Sequence, residues 1–415
     1  MSTEDILTLD AALASDQPQT ETRSVGLIIS GEAEPSPAHA EWRPLAGLAD
    51  ITPAWHALTT RALEPNVFYD PAFALAAAAK FGNGVGAVLV WSDDTRERLI
   101  GIFPARIERF RYGMPLPLLV GWTHPYAPFG VPLVDRDGAQ AAIEAWLDFI
   151  GHATFLPRII LLPYLSQDGP FAMQLQAALA ARQGGAIAYD PHERAMLAPG
   201  RDRKDYADSA LSPKKRRELR RQANRISEER RRLAFVYAQD PRAVAPALED
   251  FLRLESAGWK GRAGTAAADD PATRAFMVSA VQGLAASGQA SVARLVMGEK
   301  TIAAGIVLRS GPAAWFWKIA YDEAYASASP GVQFTVGLTE HLLADATLAQ
   351  TDSCATAEHP MIDHLWRERL SIADLLITPS PSRAFATASR LEHGRRRAIG
   401  TLRAIKRCLR LDLLS

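Results

Sequence analysis

The chain has 415 residues, of which 48% are hydrophobic and 22% are charged. These proportions are typical of globular proteins and exclude wholesale disorder or a fibrous repeat, and the length predicts two or three domains. The 46 basic side chains equal the 46 acidic ones in number, so the net charge gives no reason to expect nucleic acid or an anionic surface as a partner.

The cysteine content and the hydropathy of the chain indicate in which cellular compartment we expect it. Cys354 and Cys408 are the two cysteines, too few for a disulfide framework and without the spacing of a zinc site, so we expect no metal. The acidic N-terminal residues lack the basic start and apolar run of a secretory signal. The longest apolar runs, such as Ala72–Ala79, fall well short of the roughly 20 residues that a membrane helix needs. We therefore expect a cytoplasmic protein without a membrane span.

The first half of the chain begins with a polar segment and continues with a regular alternation of elements. Residues 1–40 are rich in Ser, Glu, Pro and Ala, which predicts a disordered leader. The next pattern predicts two helices, a three-strand meander, a helix, a strand, a helix and a strand. The two helices are predicted at 53–61 and in an Ala-rich stretch that ends near Lys80. The strands of the meander are predicted at 85–91, 99–110 and 116–121. The helix, strand, helix and strand that follow are predicted at 139–150, 158–162, 171–181 and 186–189.

The second half repeats this order. Its two helices are predicted at 241–257 and 271–287, and the strands of its meander at 290–297, 301–309 and 313–321. A helix at 331–348, a short strand near Ser353, a helix at 361–369 and a strand at 373–378 are predicted to follow. Two adjacent strands joined across a helix must be parallel, because only a long crossover returns the chain in the same direction. A meander that continues into such a strand resembles the GNAT acetyltransferase fold. We predict an α/β protein with mixed sheets and tandem GNAT domains at 41–200 and 233–380.

Two basic segments flank the second predicted domain. Ser212 followed by Pro213 is typical of a helix start, and the residues from Pro213 to Arg232 include ten Lys or Arg and three Glu. We predict a basic linker helix over 201–232 and a basic helical tail over 381–415. Because the linker has no interleaved aromatic residues, a solvated helix or the rim of an anionic-ligand site is favoured over a nucleic-acid surface.

Several strings resemble one group of proteins, the CelD-type subgroup of GNAT acetyltransferases, which is associated with bacterial cellulose and exopolysaccharide biosynthesis. The resemblance implies acyl transfer to an amine. The wider group is similar to the Fem-type peptidoglycan aminoacyltransferases, which also use tandem acetyltransferase-like domains. The strings are LESAGWKGRAGTA (254–266), WFWKIAYDEAYASASPGVQ (315–333), DSCATAEHPMIDHLWRERLSIADLL (352–376), SPKKRRELRRQANR (212–225), PNVFYDPAF (65–73) and HPYAPFGVPLVD (124–135).

The predicted cofactor site lies at a helix start. Acyl transfer from acetyl-CoA or another acyl-CoA requires the diphosphate to be held, and backbone N–H groups at a helix N-terminus suit that task. The segment Ser329-Pro330-Gly331-Val332-Gln333 stands there, where Gly331 lets the backbone approach a phosphate and Gln333 adds a donor. The glycine-rich phosphate signature of the family is absent, so an ordinary helix cap is the alternative. The matching segment of the first domain, Val134–Gly138, is acidic and would repel a diphosphate.

Two cations in a glycine-containing loop are further candidates. Lys260 and Arg262 could contact the 3′-phosphate of CoA or an anionic acceptor. The alternative is a solvated loop in which Trp259 fills the core.

The end of the third strand of the second meander carries the predicted catalytic groups. Strict alternation would place Phe316, Lys318 and Ala320 on one side of that strand. A lysine in so aromatic a strand is costly unless it faces a cleft or forms a buried salt bridge. Asp322 or Glu323 could accept the proton of the amine, and capping of the loop is the alternative for both.

The remaining candidates are less specific. His359 is a candidate general base, with a surface position as the alternative. Cys354 is predicted to be a buried strand cysteine rather than a nucleophile that carries the acyl group. The aromatic loop Gly121–Gly130 suits either sugar stacking or a domain interface.

Together with the resemblance, these features predict an acyl-CoA-dependent N-acyltransferase of the acetyltransferase type. The resemblance implies that the acceptor is a small-molecule or sugar amine of polysaccharide or cell-envelope biosynthesis. A Fem-type transferase that uses aminoacyl-tRNA is one alternative. A non-catalytic regulator of cellulose or exopolysaccharide synthesis is the other.

Overall fold

A computed structural model describes residues 38–198, 206, 212–227 and 233–412. The predicted leader therefore lies outside the described residues except for its last three positions, and His39 already belongs to the first strand. Much of the predicted linker, between 199 and 232, also lies outside them.

The first half contains seven described strands and four helices. They are β1 (His39–Pro44), α1 (Thr52–Arg61), α2 (Pro71–Phe81), β2 (Val85–Trp91), β3 (Leu99–Glu108), β4 (Leu118–Gly121), β5 (Leu133–Val134), α3 (Ala139–His152), β6 (Ile160–Ser166), α4 (Pro170–Ala181) and β7 (Gly185–Leu197).

The second half repeats the order in its described part. It comprises α5 (Pro213–Ser227), β8 (Leu233–Ala238), α6 (Pro241–Ala257), the short helix α7 (Trp259–Arg262), α8 (Pro271–Ala286), β9 (Ala290–Met297), β10 (Lys300–Ser310), β11 (Ala313–Tyr321), α9 (Pro330–Ala344), β12 (Gln350–Asp352), β13 (Glu368–Thr378) and α10 (Arg383–Asp412). Short 3-10 turns occur at 45–51, 67–69, 267–269, 323–328 and 362–364.

Three of the described helices begin at an Asp-Pro pair. The Asp carboxylate accepts a hydrogen bond from a backbone N–H of the first turn, and the Pro stands at the first helical position, where its missing N–H is not needed. The pairs are Asp70-Pro71 in α2, Asp240-Pro241 in α6 and Asp270-Pro271 in α8. Local residue choice therefore sets where these helices start.

The described strands form one mixed sheet, in the order β1-β2-β3-β4-β6-β13-β7-β12-β11-β10-β9-β8, with β5 beside β3. The pairs β4–β6 and β11–β12 are parallel, as the helical crossovers between them require. The other ladders are antiparallel. The predicted mixed α/β class is confirmed.

The two halves exchange their last strands. β13, from the second half, lies between β6 and β7 of the first half. β7 in turn lies between β13 and β12. The long β7–β13 ladder runs from Glu368 opposite Met196 to Thr378 opposite Gly185. The halves therefore share one continuous sheet.

The structure departs from the prediction at its edge strands and at one predicted helix. The edge strands β1 and β8 were not predicted, because a half-exposed strand lacks a strong hydrophobic pattern. The helix predicted at 361–369 is wrong: a 3-10 turn occupies Ile362–His364, and β13 starts at Glu368. Pairing on both sides of β13 explains why a strand replaces the end of that helix, since ladder bonds outweigh weak local propensity.

The basic tail folds back onto the first half. In α10, Phe385 and Ala388 join a cluster with the buried Leu118 and Leu376. The buried carboxylate of Glu392 accepts hydrogen bonds from Arg111 at 2.9 and 3.0 Å and from Arg396 at 2.6 Å. Its pKa falls to about 2, because the two arginines outweigh the cost of burial.

Candidate functional site

The strands β11 and β12 diverge after a short ladder. They pair only over Ala313–Trp315 and Gln350–Asp352. Beyond this point β11 continues to Tyr321 with β10 as its described partner. The segment after β12 changes direction at Cys354, which adopts a left-handed φ of 51° and donates its backbone N–H to the carboxylate of Asp352. Beyond Trp315 and Asp352 the described residues show no further pairing between β11 and the segment after β12, and we call the gap between these two stretches the opening.

The start of α9 lies at the mouth of this opening. Ser329 occupies the N-cap in a left-handed conformation, with φ 50°, and its hydroxyl makes no capping bond. Within the described chain, the N–H groups of Gly331 and Val332 have no recorded acceptor. These amides suit a diphosphate group, because the first turn of a helix carries unsatisfied donors and partial positive charge. The predicted helix start is confirmed, and its donors fit the group that the sequence predicts.

Two side chains at this helix start are already engaged. The amide of Gln333 donates to the carbonyl of Ala328 at 2.6 Å, so this side chain shapes the turn that precedes the helix. A Cβ on Gly331 would lie 3.2 Å from the ring of Tyr321 and 3.8 Å from the sulfur of Met361. The glycine therefore lets Tyr321 of β11 approach α9 closely.

The cations of the α6–α8 connection pair with carboxylates. Lys260 lies 2.6 Å from Glu255, a residue only 5% exposed. Arg262 lies 2.6 Å from Glu323, which also accepts the N–H of Trp259. The indole of Trp259 is 57% exposed, so the alternative in which it fills the core is wrong. The pair between Arg262 and Glu323 braces the loop against the end of β11, and the two ion pairs leave little unneutralised charge in the loop.

Both predicted acidic bases have structural partners. Asp322 pairs with Lys300 at 2.8 Å and caps the N–H of Ala324. Burial opposes the ionisation of Asp322, but Lys300 outweighs it and the pKa is lowered. Arg262, followed by the N–H of Trp259, lowers the pKa of Glu323. These contacts favour anchoring roles for both carboxylates.

Lys318 lies on the side of the sheet that faces the first half. Its Nζ is 4.5 Å from the ring centroid of Tyr126. A β-bulge leaves Trp317 without a directly opposed residue, so Trp317 and Lys318 both contact Tyr126. The predicted strict alternation is therefore wrong here, since Phe316 packs against Phe334 of α9 on the opposite side.

The charge state of Lys318 is set by burial. Burial lowers its pKa to about 8, Lys260 adds to the shift, and Glu255 and Cys354 oppose it. Among the described residues no carboxylate forms an ion pair with Lys318, so the buried salt bridge considered from the sequence is absent there. A lysine of this kind is partly neutral in mildly alkaline solution and can then accept a proton.

The aromatic loop of the first half closes this side of the opening. Trp317 donates its indole N–H to the carbonyl of Tyr126 at 2.8 Å. His124 stacks on Phe81 at 4.4 Å, and its buried Nε2 has no hydrogen-bond partner in the described structure. Burial, with a smaller effect from Lys318, lowers the pKa of His124 to about 3, so its ring is neutral. The loop is an interface between the halves.

Local residues hold that loop in place. The amide of Asn66 donates to the carbonyls of Phe129 and Val131 at 3.2 and 2.8 Å. A Cβ on Gly130 would lie 2.1 Å from the carbonyl oxygen of Pro163. The sequence pattern Glu-Pro-Asn indicates a turn, and the structure adds that this turn anchors a distant loop.

The segment after β12 carries His359 and Cys354. The Nδ1 of His359 accepts the N–H of Met361 at 3.3 Å, and Met361 lies beside Gly331. His359 is therefore close to the start of α9. Burial, together with Asp352, raises the pKa of the Cys354 thiol well above its usual value, which disfavours a nucleophilic role.

Sequence reasoning missed two buried ionisable groups beside the opening. Glu64 lines a second cleft, of about 370 Å³, between the halves. Burial raises the pKa of Glu64 to about 7, although the N–H of Phe171 opposes the shift. Arg194 forms a buried ion pair with Asp352 and donates to the carbonyl of Pro128 at 2.8 Å. No local pattern marks these residues, because their partners are distant in sequence.

Within the part of the chain that the structure describes, we find neither a metal-binding cluster nor a membrane-spanning helix. The described residues contain no cluster of His, Cys, Asp and Glu that could hold a metal ion. None of their helices combines the length and the apolar character needed to cross a membrane.

Comparisons with known proteins bear on the fold and on one segment of the chain. The model of the acetyltransferase (GNAT) domain family matches residues 213–359, which include α5, β11, α9 and β12. No curated protein sequence matches the chain significantly.

Two solved structures share the overall fold. One is the C-terminal domain of a provisionally assigned lysylphosphatidylglycerol synthetase from Agrobacterium fabrum, with a TM-score of 0.51 at 11% identity over 82% of this chain and 95% of that chain. The other is FemX, with a TM-score of 0.51 at 9% identity over 79% of this chain and 95% of that chain. At sequence identities this low, structural similarity shows only that the fold is shared. The predicted fold is confirmed: the chain repeats the GNAT order of elements in two halves, and residues 213–359 match the acetyltransferase (GNAT) domain model.

Proposed function

We propose that the chain is an acyl-CoA-dependent N-acyltransferase, with acetyl-CoA as the simplest donor. The observation that carries this proposal is the opening between β11 and β12, which has the amide donors of α9 at its mouth. It lies inside the segment that matches the GNAT domain family. A thioester donor supplies an activated carbonyl carbon, so the chain has to hold the donor, orient an amine and accept a proton.

The N–H groups of Gly331 and Val332 would hold the diphosphate of the donor, next to Ser329 at the N-cap. Gln333 supports this arrangement through its bond to the carbonyl of Ala328. Lys260 and Arg262 would brace the loop between α6 and α8 through their carboxylate partners rather than bind phosphate.

We assign proton transfer to Lys318, whose neutral form can take a proton from the incoming amine. Its position beside Tyr126 places it on the side of the sheet where both halves meet. His359, in the segment after β12, is the second candidate for this role. Asp322 and Glu323 would fix the end of β11 through their ion pairs.

The acceptor amine would enter between the halves, in the cytoplasm. The resemblance to CelD-type proteins supports an amino sugar, or a related precursor of a polysaccharide or cell envelope, as the acceptor class.

Isothermal titration with CoA and acetyl-CoA tests the proposal. We expect micromolar binding to the wild-type protein, and Gly331→Asp should weaken it more than tenfold through charge repulsion (roughly 1.4 kcal/mol per factor of ten). Gly331→Ala is the matched control, because it adds the same Cβ beside Tyr321 without the charge. Aspartate in the first turn is compatible with the helix dipole, so the fold should persist.

Absence of binding by the wild-type protein would overturn the proposal. Charged tRNA would then be the next ligand, as the Fem-type alternative requires. Failure of that ligand as well would favour a non-catalytic regulator.

A further inference from the structure

The helix α5 carries a dense positive charge. Its side chains are described through Gln222, and this stretch contains six Lys or Arg and one Glu, a sum of +5. Ser212 caps the helix through a bond from the N–H of Lys215 at 3.2 Å, as the Ser-Pro pair predicts. Leu219 is 7% exposed and marks the packed side of the helix. The helix is therefore docked on the protein rather than surrounded by water.

Four cations of α5 point into solvent without a recorded ion pair among the described residues. They are Lys214, Lys215, Arg217 and Arg220. By contrast, Arg221 pairs with Glu218 at 2.7 Å. Exposed cations at this density repel one another and attract a multivalent anion.

The position of α5 connects this charge with the opening. The helix packs against residues 323–328 and against β8. Residues 323–328 form the 3-10 turn that leads through Ser329 into α9. The basic helix thus lies beside the element that presents the amide donors. The match to the GNAT domain family begins at Pro213, the first residue of α5, so the helix belongs to the matched segment.

We propose that the exposed cations of α5 bind the 3′-phosphate of the CoA donor. Lys214 and Arg217, three residues apart on one side of the helix, would contact the phosphate, and Lys215 and Arg220 would add to the positive potential. This inference rests on the proposed function, which places the diphosphate at the start of α9. A phosphate monoester carries more charge than each phosphate of the diphosphate, and it is best met by lysine and arginine rather than by neutral amides.

The neighbouring cations cannot serve this role equally well. Lys260 and Arg262 each lie 2.6 Å from a carboxylate, and Lys300 lies 2.8 Å from Asp322. Each would have to give up an ion pair in order to bind a phosphate. We therefore assign the 3′-phosphate contact to helix α5 rather than to the loop that the sequence predicts.

Titration with CoA and dephospho-CoA, which differ only in the 3′-phosphate, tests this assignment. The wild-type protein should bind CoA about tenfold to a hundredfold more tightly, as expected for charge-assisted hydrogen bonds to one phosphate. In the variant Lys214→Gln/Lys215→Gln/Arg217→Gln/Arg220→Gln the two ligands should bind equally, with the wild-type affinity for dephospho-CoA. All four side chains are exposed, so a thermal melt should show an unchanged fold.

A charge-matched variant controls for long-range electrostatics. Gln at Arg109, Arg383, Arg390 and Arg397 removes four exposed cations elsewhere and should keep the preference for CoA. If this control loses the preference as well, the effect is not local and the inference is overturned.

The remaining outcomes separate the two proposals. Wild-type binding of CoA with no loss of preference in the α5 variant would overturn the inference and leave the proposed function intact. Absence of any CoA binding would overturn both. If the wild-type protein does not discriminate between the two ligands but binds a short RNA through these four residues, the helix serves a polyanionic partner and the inference fails.

Discussion

The chemistry of Lys318 follows from its surroundings. Glu255 and Lys260 face it from the α6–α7 region, while His124 and Tyr126 approach from the aromatic loop of the first half. His124 is neutral, and Glu255 is already paired with Lys260. No neighbour therefore compensates fully for the loss of water around the ammonium group, and the pKa falls to about 8.

The proton-transfer role of Lys318 predicts a specific pH profile. A lysine with a lowered pKa is neutral above that pKa, so kcat/KM should rise as the pH increases through about 8 and then level off. Lys318→Met and Lys318→Arg should both lose about 10²- to 10⁴-fold in kcat/KM, because neither side chain can accept the proton. The measurement needs an acceptor amine whose own pKa lies outside this range.

Arg397→Met is the control for this prediction, since Arg397 is an exposed cation on α10 that has no role in the opening. It should keep the wild-type profile. A Lys318→Met enzyme with an unchanged rise near pH 8 would assign that pKa to another group.

At the scale of single elements, the loop Thr123–Val131 shows how one half supplies a wall for the other. Asn66 fixes two of its carbonyl groups, and Gly130 allows its backbone to touch that of Pro163. This loop then presents Tyr126 to β11. The second half therefore depends on the first for the shape of its opening.

Gly130→Ala tests the close approach in this loop. The new Cβ would lie 2.1 Å from the carbonyl oxygen of Pro163, and relief of such overpacking costs about 1–3 kcal/mol of unfolding free energy. Gly47→Ala is the matched control, because no atom lies within 4 Å of its Cβ position. Its effect should stay within about 0.5 kcal/mol. Urea denaturation of both variants gives the comparison, and equal stabilities would contradict the packing argument.

At the scale of the whole molecule, the exchange of β7 and β13 links the halves more tightly than a linker would. The predicted second domain, 233–380, includes β13, which forms its ladders with β6 and β7 of the first half. Removal of either half would expose the edges of buried strands, and such edges aggregate.

Separate expression of residues 1–198 and 199–415 tests this dependence. Each piece alone should be insoluble or unfolded, whereas co-expression should give a complex that elutes at the size of the intact chain in gel filtration. Two soluble pieces that each unfold cooperatively would show instead that the halves are independent domains.

Local sequence signals account for much of the architecture. An Asp-Pro pair stands at the start of α2, α6 and α8, alternating apolar residues predict the meanders, and helical crossovers require the parallel pairs. The helix start predicted near Gly331, from its position after the third strand of the meander, agrees with the observed start of α9 at Pro330. These features depend on neighbours within a few residues, so the local pattern contains the information.

Tertiary structure decided the strand exchange, the partners of Lys260 and Arg262, and the contact between Lys318 and Tyr126. In the case of Lys318, the two residues stand far apart in sequence, and a β-bulge at Trp317 turns the lysine toward the first half. Which carboxylate neutralises a cation, and which strand completes a ladder, depends on the packing of the whole sheet. Short-range hydrophobic periodicity specifies how a segment folds and which face it buries, but it does not specify which distant segment covers that face.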